Sequence, residues 1–237
     1  MRKILSGMRR AIQDYNMIQP HDKIAVGVSG GKDSLALLCA LADYRKFSEV
    51  PFEVMGITLD MGFEGTDFTP ISDLCKQINV EYVLKKTDIA EILFEVRKEK
   101  NPCSLCAKMR RGAVNDLATD YGCKKVALGH HNEDVIETFF LSLFYEGRLN
   151  CFSPVTYLSR KDIHVIRPLI YVAEGDIKGF AKRTSLPVVH NPCPMDGVSK
   201  RQDMKDFINE KQALDHSFKT RMMHAIQTGL DDWKFSV

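Results

Sequence analysis

Ile24-Ala25-Val26-Gly27-Val28, then Ser29-Gly30-Gly31-Lys32-Asp33-Ser34, then Leu35-Ala36-Leu37-Leu38-Cys39-Ala40-Leu41-Ala42 form the stretch that most limits the fold. The first run is short, apolar and followed by glycines, which reads as a parallel strand buried on both faces. The last is apolar almost all round, so it reads as a helix buried against that sheet. A strand, two glycines and a helix start gather several backbone N–H groups about one concavity. Orphan amides and the helix dipole favour an anion there, and a phosphate group suits both. Lys32 adds a point charge, and Ser29 and Ser34 add hydroxyls. The spacing is neither G-x-x-x-x-G-K-[ST] nor G-x-G-x-x-G with a ribose-binding acid downstream.

Strand and helix patterns alternate along the rest of the chain. Ile4, Leu5, Met8, Ile12 and Tyr15 predict an amphipathic helix over 3–17. Further strands are predicted at 52–60, 81–85, 125–128 and 164–167. Helices are expected near 68–78, 88–97 and 104–121, again from Val135 onward, and near 174–184, 199–213 and 216–228. This order implies an α/β fold with a doubly wound, mostly parallel sheet. The chain divides into an N-terminal helical segment (1–20), an α/β domain (21–170) and a small C-terminal helical region (171–237). Ligands of open α/β sheets bind beyond the carboxyl ends of the strands. Asp60, and Gly129-His130-His131-Asn132-Glu133-Asp134, therefore belong beside the Ser29–Ser34 loop.

At 237 residues, 44% hydrophobic and 27% charged, the composition is that of a soluble globular protein. No apolar run approaches the ~20 residues that span a bilayer, and no signal-peptide pattern is present, so no membrane is involved and a cytoplasmic location is expected. The net charge of +2 hides local clusters. Between Arg97 and Arg111, Arg97, Lys98, Lys100, Lys108, Arg110 and Arg111 face only Glu99. Arg2, Lys3, Arg9 and Arg10 gather at the N-terminus, and Lys200, Arg201, Lys205 and Lys211 follow Cys193. Basic patches on a nearly neutral chain point to a specific polyanion, and the N-terminal helix is a candidate RNA contact.

Seven cysteines in a chain of this kind suggest metal binding or catalysis rather than disulfides. Cys39 and Cys75 fall in apolar helical patterns and read as core, while Cys123 and Cys151 have no partner at ligand spacing. Asn-Pro-Cys occurs twice, at 101–103 and 191–193. Each proline holds the residue before it extended, so each cysteine is expected on a rigid, exposed turn. Cys103-Ser104-Leu105-Cys106 is a C-x-x-C at a helix start, where the dipole favours thiolate. A closed zinc site needs a fourth ligand, and His190 is the best placed. Three thiolates alone suit an iron–sulfur cluster with one iron left open.

Ser29–Ser34 resembles the signature of the PP-loop ATP pyrophosphatases. Within them the chain resembles the tRNA 2-thiocytidine synthetase family over nearly its whole length. The resemblance is carried by Asp14-Tyr15-Asn16-Met17-Ile18, by SGGKDS, and by Cys103-Ser104-Leu105-Cys106 with Arg110-Arg111-Gly112. Ala127-Leu128-Gly129-His130-His131, Ile166-Arg167-Pro168-Leu169, and Cys193 with Arg201-Gln202 carry it further. It implies an adenine nucleotide alpha hydrolase-like fold. It also implies ATP bound by Ser29, Gly30, Gly31, Lys32, Asp33, Ser34, Asp60, Gly129 and His130, and a [4Fe-4S] cluster on Cys103, Cys106 and Cys193. The sequence departs from the family pattern in lacking a second C-x-x-C at Cys193 and in carrying Glu133-Asp134 where two aspartates are usual.

The activity so implied replaces a pyrimidine carbonyl oxygen of an anticodon-loop cytidine with sulfur. The oxygen is first adenylated by ATP with Mg²⁺, and sulfur delivered through the cluster then displaces AMP. Lys32 would stabilise the departing pyrophosphate, Asp33 or Asp134 would hold Mg²⁺ or the base, and Arg110 would orient the tRNA or the activated base. Partners are tRNA and a sulfur donor such as a cysteine desulfurase or free sulfide, with a homodimer open. The alternatives are a PP-loop enzyme acting on another base (a 2-thiouridine synthetase or a lysine-adding ligase) and a non-catalytic nucleotide- and metal-binding redox sensor.

Overall fold

The computed structural model describes residues 1–63, 65–98, 102–189, 192–194 and 200–234. Six strands form one sheet in the order β3-β2-β1-β4-β6-β5. They are β1 (Asp22–Gly27), β2 (Phe52–Asp60), β3 (Glu81–Lys86), β4 (Lys125–Ala127), β5 (Val155–Leu158) and β6 (Ile163–Ile166). All neighbours run parallel except β5, which pairs antiparallel with β6. The sheet is the doubly wound one expected, with one strand more than its sequence pattern suggested. Val155-Thr156-Tyr157-Leu158 is short and lies at the sheet edge, so it carries no alternation to reveal it.

Helices flank the sheet: α1 (Arg2–Asp14), α2 (Lys32–Tyr44), α3 (Thr69–Gln77), α4 (Ile89–Glu91), α5 (Pro102–Asp120), α6 (Asn132–Leu141), α7 (Glu174–Arg183), α8 (Lys200–Leu214) and α9 (Phe218–Gly229). The helix expected at 88–97 is only the short α4, which widens into a π-turn over Ile92–Val96. Pro102 opens α5, where a residue without an N–H costs nothing, so Cys103 stands in the first helical turn rather than on the turn expected before it.

Ile24 and Val26 point to one face of β1 and pack with α1, α2, α3 and α6. Residues of the last helices, Ile177, Phe180, Met204, Ile208, Met223 and Ile226, join that same core. Ala25 points to the other face, where α5 contributes Ala118 against Met55, Ile57, Val126 and Val165. The chain leaves β1 toward β2 on one side and returns through α5 to β4 on the other. The gap between β1 and β4 is therefore the topological switch point, the place where such sheets bind ligands.

At the opposite, amino ends of β1 and β4, Lys125 is buried. Its ammonium lies 2.6 Å from Asp22 and donates to the Met17 carbonyl at 3.0 Å. A buried pair contributes little net stability, but removing one partner strands a charge. Asp22→Asn is expected to lower unfolding free energy in urea by roughly 3 kcal/mol, and adding Lys125→Met should recover most of it. An equal loss in the double variant would show that the pair is not the cause.

Candidate functional site

Val28 follows β1 and donates its N–H to Ile57 on β2 at 2.8 Å, after which the chain turns over the sheet edge. The turn is closed by its own serines. Ser29 N–H donates to Ser34 Oγ at 3.1 Å, Ser34 Oγ donates to the Gly31 carbonyl at 2.9 Å, and the two hydroxyls lie 3.2 Å apart. Gly30 sits at φ +85°, in the left-handed region, and its Cα hydrogen faces Val189, so a side chain there would be strained and crowded. Gly129, beyond β4, lies against the start of α2. A Cβ on it would come within 3.0 Å of the Asp33 carbonyl and the Ser34 nitrogen. Asp33 and Ser34 thus lie against Gly129 across the switch point.

His131 crosses this gap. Its Nε2 lies 3.8 Å from Asp33 and 3.5 Å from Asp134, and its Nδ1 is 3.4 Å from Glu133. The His131 backbone N–H also donates to Asp134 at 2.9 Å, capping α6. Burial would push its imidazole pKa down, but the Glu133, Asp134 and Asp33 carboxylates outweigh this and raise it. His130 goes the opposite way. Burial first, and then the Arg167 guanidinium, push it down to about 4, and its ring lies 4.8 Å from Phe152. Adjacent histidines are thus pushed in opposite directions, His131 toward imidazolium and His130 toward the neutral ring.

Below the loop lies an ionic network that the sequence-based site contained only in part. Lys32 Nζ is 2.8 Å from Asp33 and 3.1 Å from Glu174. Glu174, at the start of α7, also accepts from Lys178 and Lys205 at 3.0 Å each. Its backbone N–H donates to Glu133 at 2.8 Å, and Glu133 accepts from Lys219 at 3.0 Å. Burial alone would raise both carboxyls, but these partners hold each at about 2. Burial likewise opposes the Lys32 charge, yet Asp33 and Glu174 keep its pKa raised. Arg201 on α8 closes the far side, 3.1 Å from Glu137 and 3.5 Å from Asp134. Glu174 and Lys219 lie far from SGGKDS in sequence and in no motif, so no local signal marked them, while Lys205 showed only as part of the basic cluster after Cys193.

Other expected residues lie around this centre. Asp60 ends β2 at the same sheet edge, its carboxylate accepting from Gly62 N–H at 2.9 Å. Cys103 and Cys106 occupy the first turns of α5, with the charge of Arg110 beside Cys106. Burial pushes the Cys106 thiol up despite Arg110, and the charges of Cys193 and Cys103 add to the rise. The helix dipole therefore does not prevail at Cys106 as expected. The three thiols are within electrostatic reach of one another, and a set of thiols is the donor chemistry an iron–sulfur cluster requires. Among the described residues, no three His, Cys, Asp or Glu side chains converge at metal-holding geometry. His190 lies outside the described residues. Cys39, Cys75, Cys123 and Cys151 are buried, and burial pushes each thiol up, to about 11 or 12. Among the described residues no helix is long and apolar enough to cross a membrane.

A glycine-built anion cradle with a lysine at the switch point of a parallel sheet defines a nucleotide-binding α/β protein, and the model of the PP-loop domain matches residues 4–211. The tRNA-cytidine(32) 2-sulfurtransferase of Geobacter metallireducens is 36% identical over 228 residues, covering 95% of this chain and 89% of the relative. The enzyme of that name from Geotalea uraniireducens is 37% identical over 227 residues, covering 94% and 90%. The chain belongs to the PP-loop family and, within it, to that of the tRNA-cytidine(32) 2-sulfurtransferases. In fold it is similar to the U34-tRNA thiolase NcsA from Methanococcus maripaludis, solved with its [4Fe-4S] cluster. The TM-score is 0.77 at 23% identity, covering 95% of this chain and 78% of that one.

The network makes stability depend on acid. Glu133 and Glu174 are held at about 2 against an ordinary 4.5, so they contribute stability above pH 4.5 that is lost as pH falls toward 2. Unfolding free energy is expected to drop steeply across that window in wild type and less steeply in Glu174→Gln. Superimposable slopes would remove Glu174 from the account.

Proposed function

We propose that this protein is an ATP-dependent tRNA sulfurtransferase that adenylates C2 of an anticodon-loop cytidine and replaces its oxygen with sulfur. The observation that carries this reading is the cradle at the β1/β4 switch point, with Lys32 and Asp33 at its rim, in a chain of this family. The loop amides and Lys32 would take the triphosphate, whose charge can replace Glu174 and Asp33 as partner of the Lys32 ammonium. The C2 oxygen of the cytidine attacks the α-phosphorus and a P–O bond is formed. The bond from the α-phosphorus to the β-phosphate oxygen breaks, and pyrophosphate leaves with its electron pair. Lys32 and Mg²⁺ brought with ATP balance the charge that develops there.

Asp33 and Asp134 approach His131 from two sides, so they are suited to hold Mg²⁺ or the amino group of the base. His131, lying between them, would keep both carboxylates aligned. Sulfide then attacks C2, and the C–O bond breaks with its electron pair going to AMP. Cys103, Cys106 and Cys193 would hold a [4Fe-4S] cluster, the third supplied by the C-terminal helical region. When bound, that group supplies an iron with an open coordination position that can carry sulfide. Arg110, beside Cys106, would keep a positive charge between the thiols and the approaching tRNA.

The direct test is nucleoside mass spectrometry of tRNA from cells with and without the protein. Loss of 2-thiocytidine, restored by wild type, is expected. Unchanged 2-thiocytidine with another thionucleoside lost would overturn the choice of base. Lys32→Ala should fold normally but lower tRNA-dependent pyrophosphate release by roughly 100-fold or more, and wild-type turnover would remove the loop from catalysis.

A second expectation concerns metal. After anaerobic purification, Cys103→Ala, Cys106→Ala and Cys193→Ala should each lose iron and thiolation together, while His190→Ala retains both. Stoichiometric zinc without iron would overturn the cluster assignment.

A further inference from the structure

The helix α6 does not stop at Leu141. It continues as a π-turn over Ser142–Glu146 and ends at Gly147, φ +63°. A π-turn packs less well than an α-turn and recurs at functional sites, because the inserted residue rotates the following side chains out of register. Here it brings Phe144 and Tyr145 to the surface, 53% and 47% exposed, with Leu149 just beyond at 68%. Three large apolar side chains within six residues make a patch rather than scattered exposure.

The rings beneath are ordered. Phe218 of α9 and Phe140 of α6 lie almost parallel, 3° apart with centroids at 6.1 Å, and Phe140 and Phe144 are 23° apart at 5.5 Å. Phe207 of α8 meets Phe140 and Phe144 edge-on at 5.4 and 5.8 Å. A column of rings starts in the interior and ends at Phe144, which is half open to solvent. Cations surround that end. Lys200 Nζ is 4.1 Å from the centre of the Tyr145 ring, Lys211 Nζ is 5.4 Å from that of Phe207, and Arg148 follows in the exposed loop. The nearby acids are engaged: Glu146 accepts from Ser142 at 3.1 Å and Glu210 from Lys211 at 2.8 Å. The residue after Lys200 is Arg201, which reaches Asp134 and Glu137, so the patch borders the nucleotide gap.

We propose that Phe144 and Tyr145, with Lys200 and Arg148, form a stacking platform for an unpaired base of a single-stranded RNA loop. A base extends a ring column on either of its faces, and its phosphates complement lysine and arginine. In sequence this segment is distinct from the basic tracts at the N-terminus and at 97–111. The inference rests on the tRNA reading above and names where the loop would lie.

The test is fluorescence titration of an anticodon stem–loop RNA carrying 2-aminopurine at single loop positions, with the full chain. Wild type should quench the probe at one or two positions. Phe144→Ala and Tyr145→Ala should each weaken binding by about tenfold and abolish that quenching. Phe144→Trp should retain both, and ATP affinity should be unchanged in every variant. Reversal of Arg148 or Lys200 to Glu should weaken binding and flatten its salt dependence. Equal affinity and quenching for wild type and Phe144→Ala would overturn the platform and leave the tRNA reading standing. Wild type that binds neither stem–loop nor whole tRNA would overturn both. A dimer that Phe144→Ala converts to monomer, with RNA affinity unchanged, would assign the patch to a second copy of the chain and overturn the proposal.

Discussion

The buried carboxylate of Glu174 is the interaction on which the site depends. One side chain, 7% exposed, accepts from lysines of three helices: Lys32 of α2, Lys178 of its own α7 and Lys205 of α8. Its backbone N–H adds α6 through Glu133, and Glu133 adds α9 through Lys219. The buried carboxylates of Glu174 and Glu133 would be costly to bury without counter-charges, and four lysines share that compensation. That requirement fixes where the last helices must dock. It also holds the Lys32 ammonium at the rim of the loop.

The two histidines after β4 show how position sets chemistry. They are neighbours in sequence, but His131 turns toward Asp33, Glu133 and Asp134, and His130 turns toward Phe152 and the cation of Arg167. Arg167 is itself buried, donates to the Ser153 carbonyl at 2.6 Å and lies 5.0 Å from the Phe152 ring; burial pushes its pKa down to about 10. One imidazole is pushed toward the cation by three nearby carboxylates, and the other toward the neutral ring by burial and the Arg167 guanidinium.

Much of the fold was legible because apolar periodicity is a local property. The strands from β1 to β4 and the helices α2, α3 and α5 follow from runs that can be read within ten or so residues. The strand β5 was not legible, since a four-residue edge strand needs its partner to define it. The π-turns at Ile92–Val96 and Ser142–Glu146 escaped for a related reason: one inserted residue hardly alters the pattern but redirects the side chains that follow.

The sequence by itself determined the turn at the end of β1, because a strand, two glycines and a helix start create it within eleven residues, although contacts from β2, Val189 and Glu174 then hold it in place. It also determined which residues would stand beside it, since Gly129 and Asp134 follow a strand and every parallel strand delivers its carboxyl end to the same edge. Only the tertiary structure decided the charge state of those residues and their partners. Glu174, Lys205 and Lys219 come from the last three helices, and their electrostatic effect falls off with distance in space, not along the chain. The Cys106 thiol shows the same division: its helix dipole was readable from C-x-x-C, but burial, a property of packing, outweighs it.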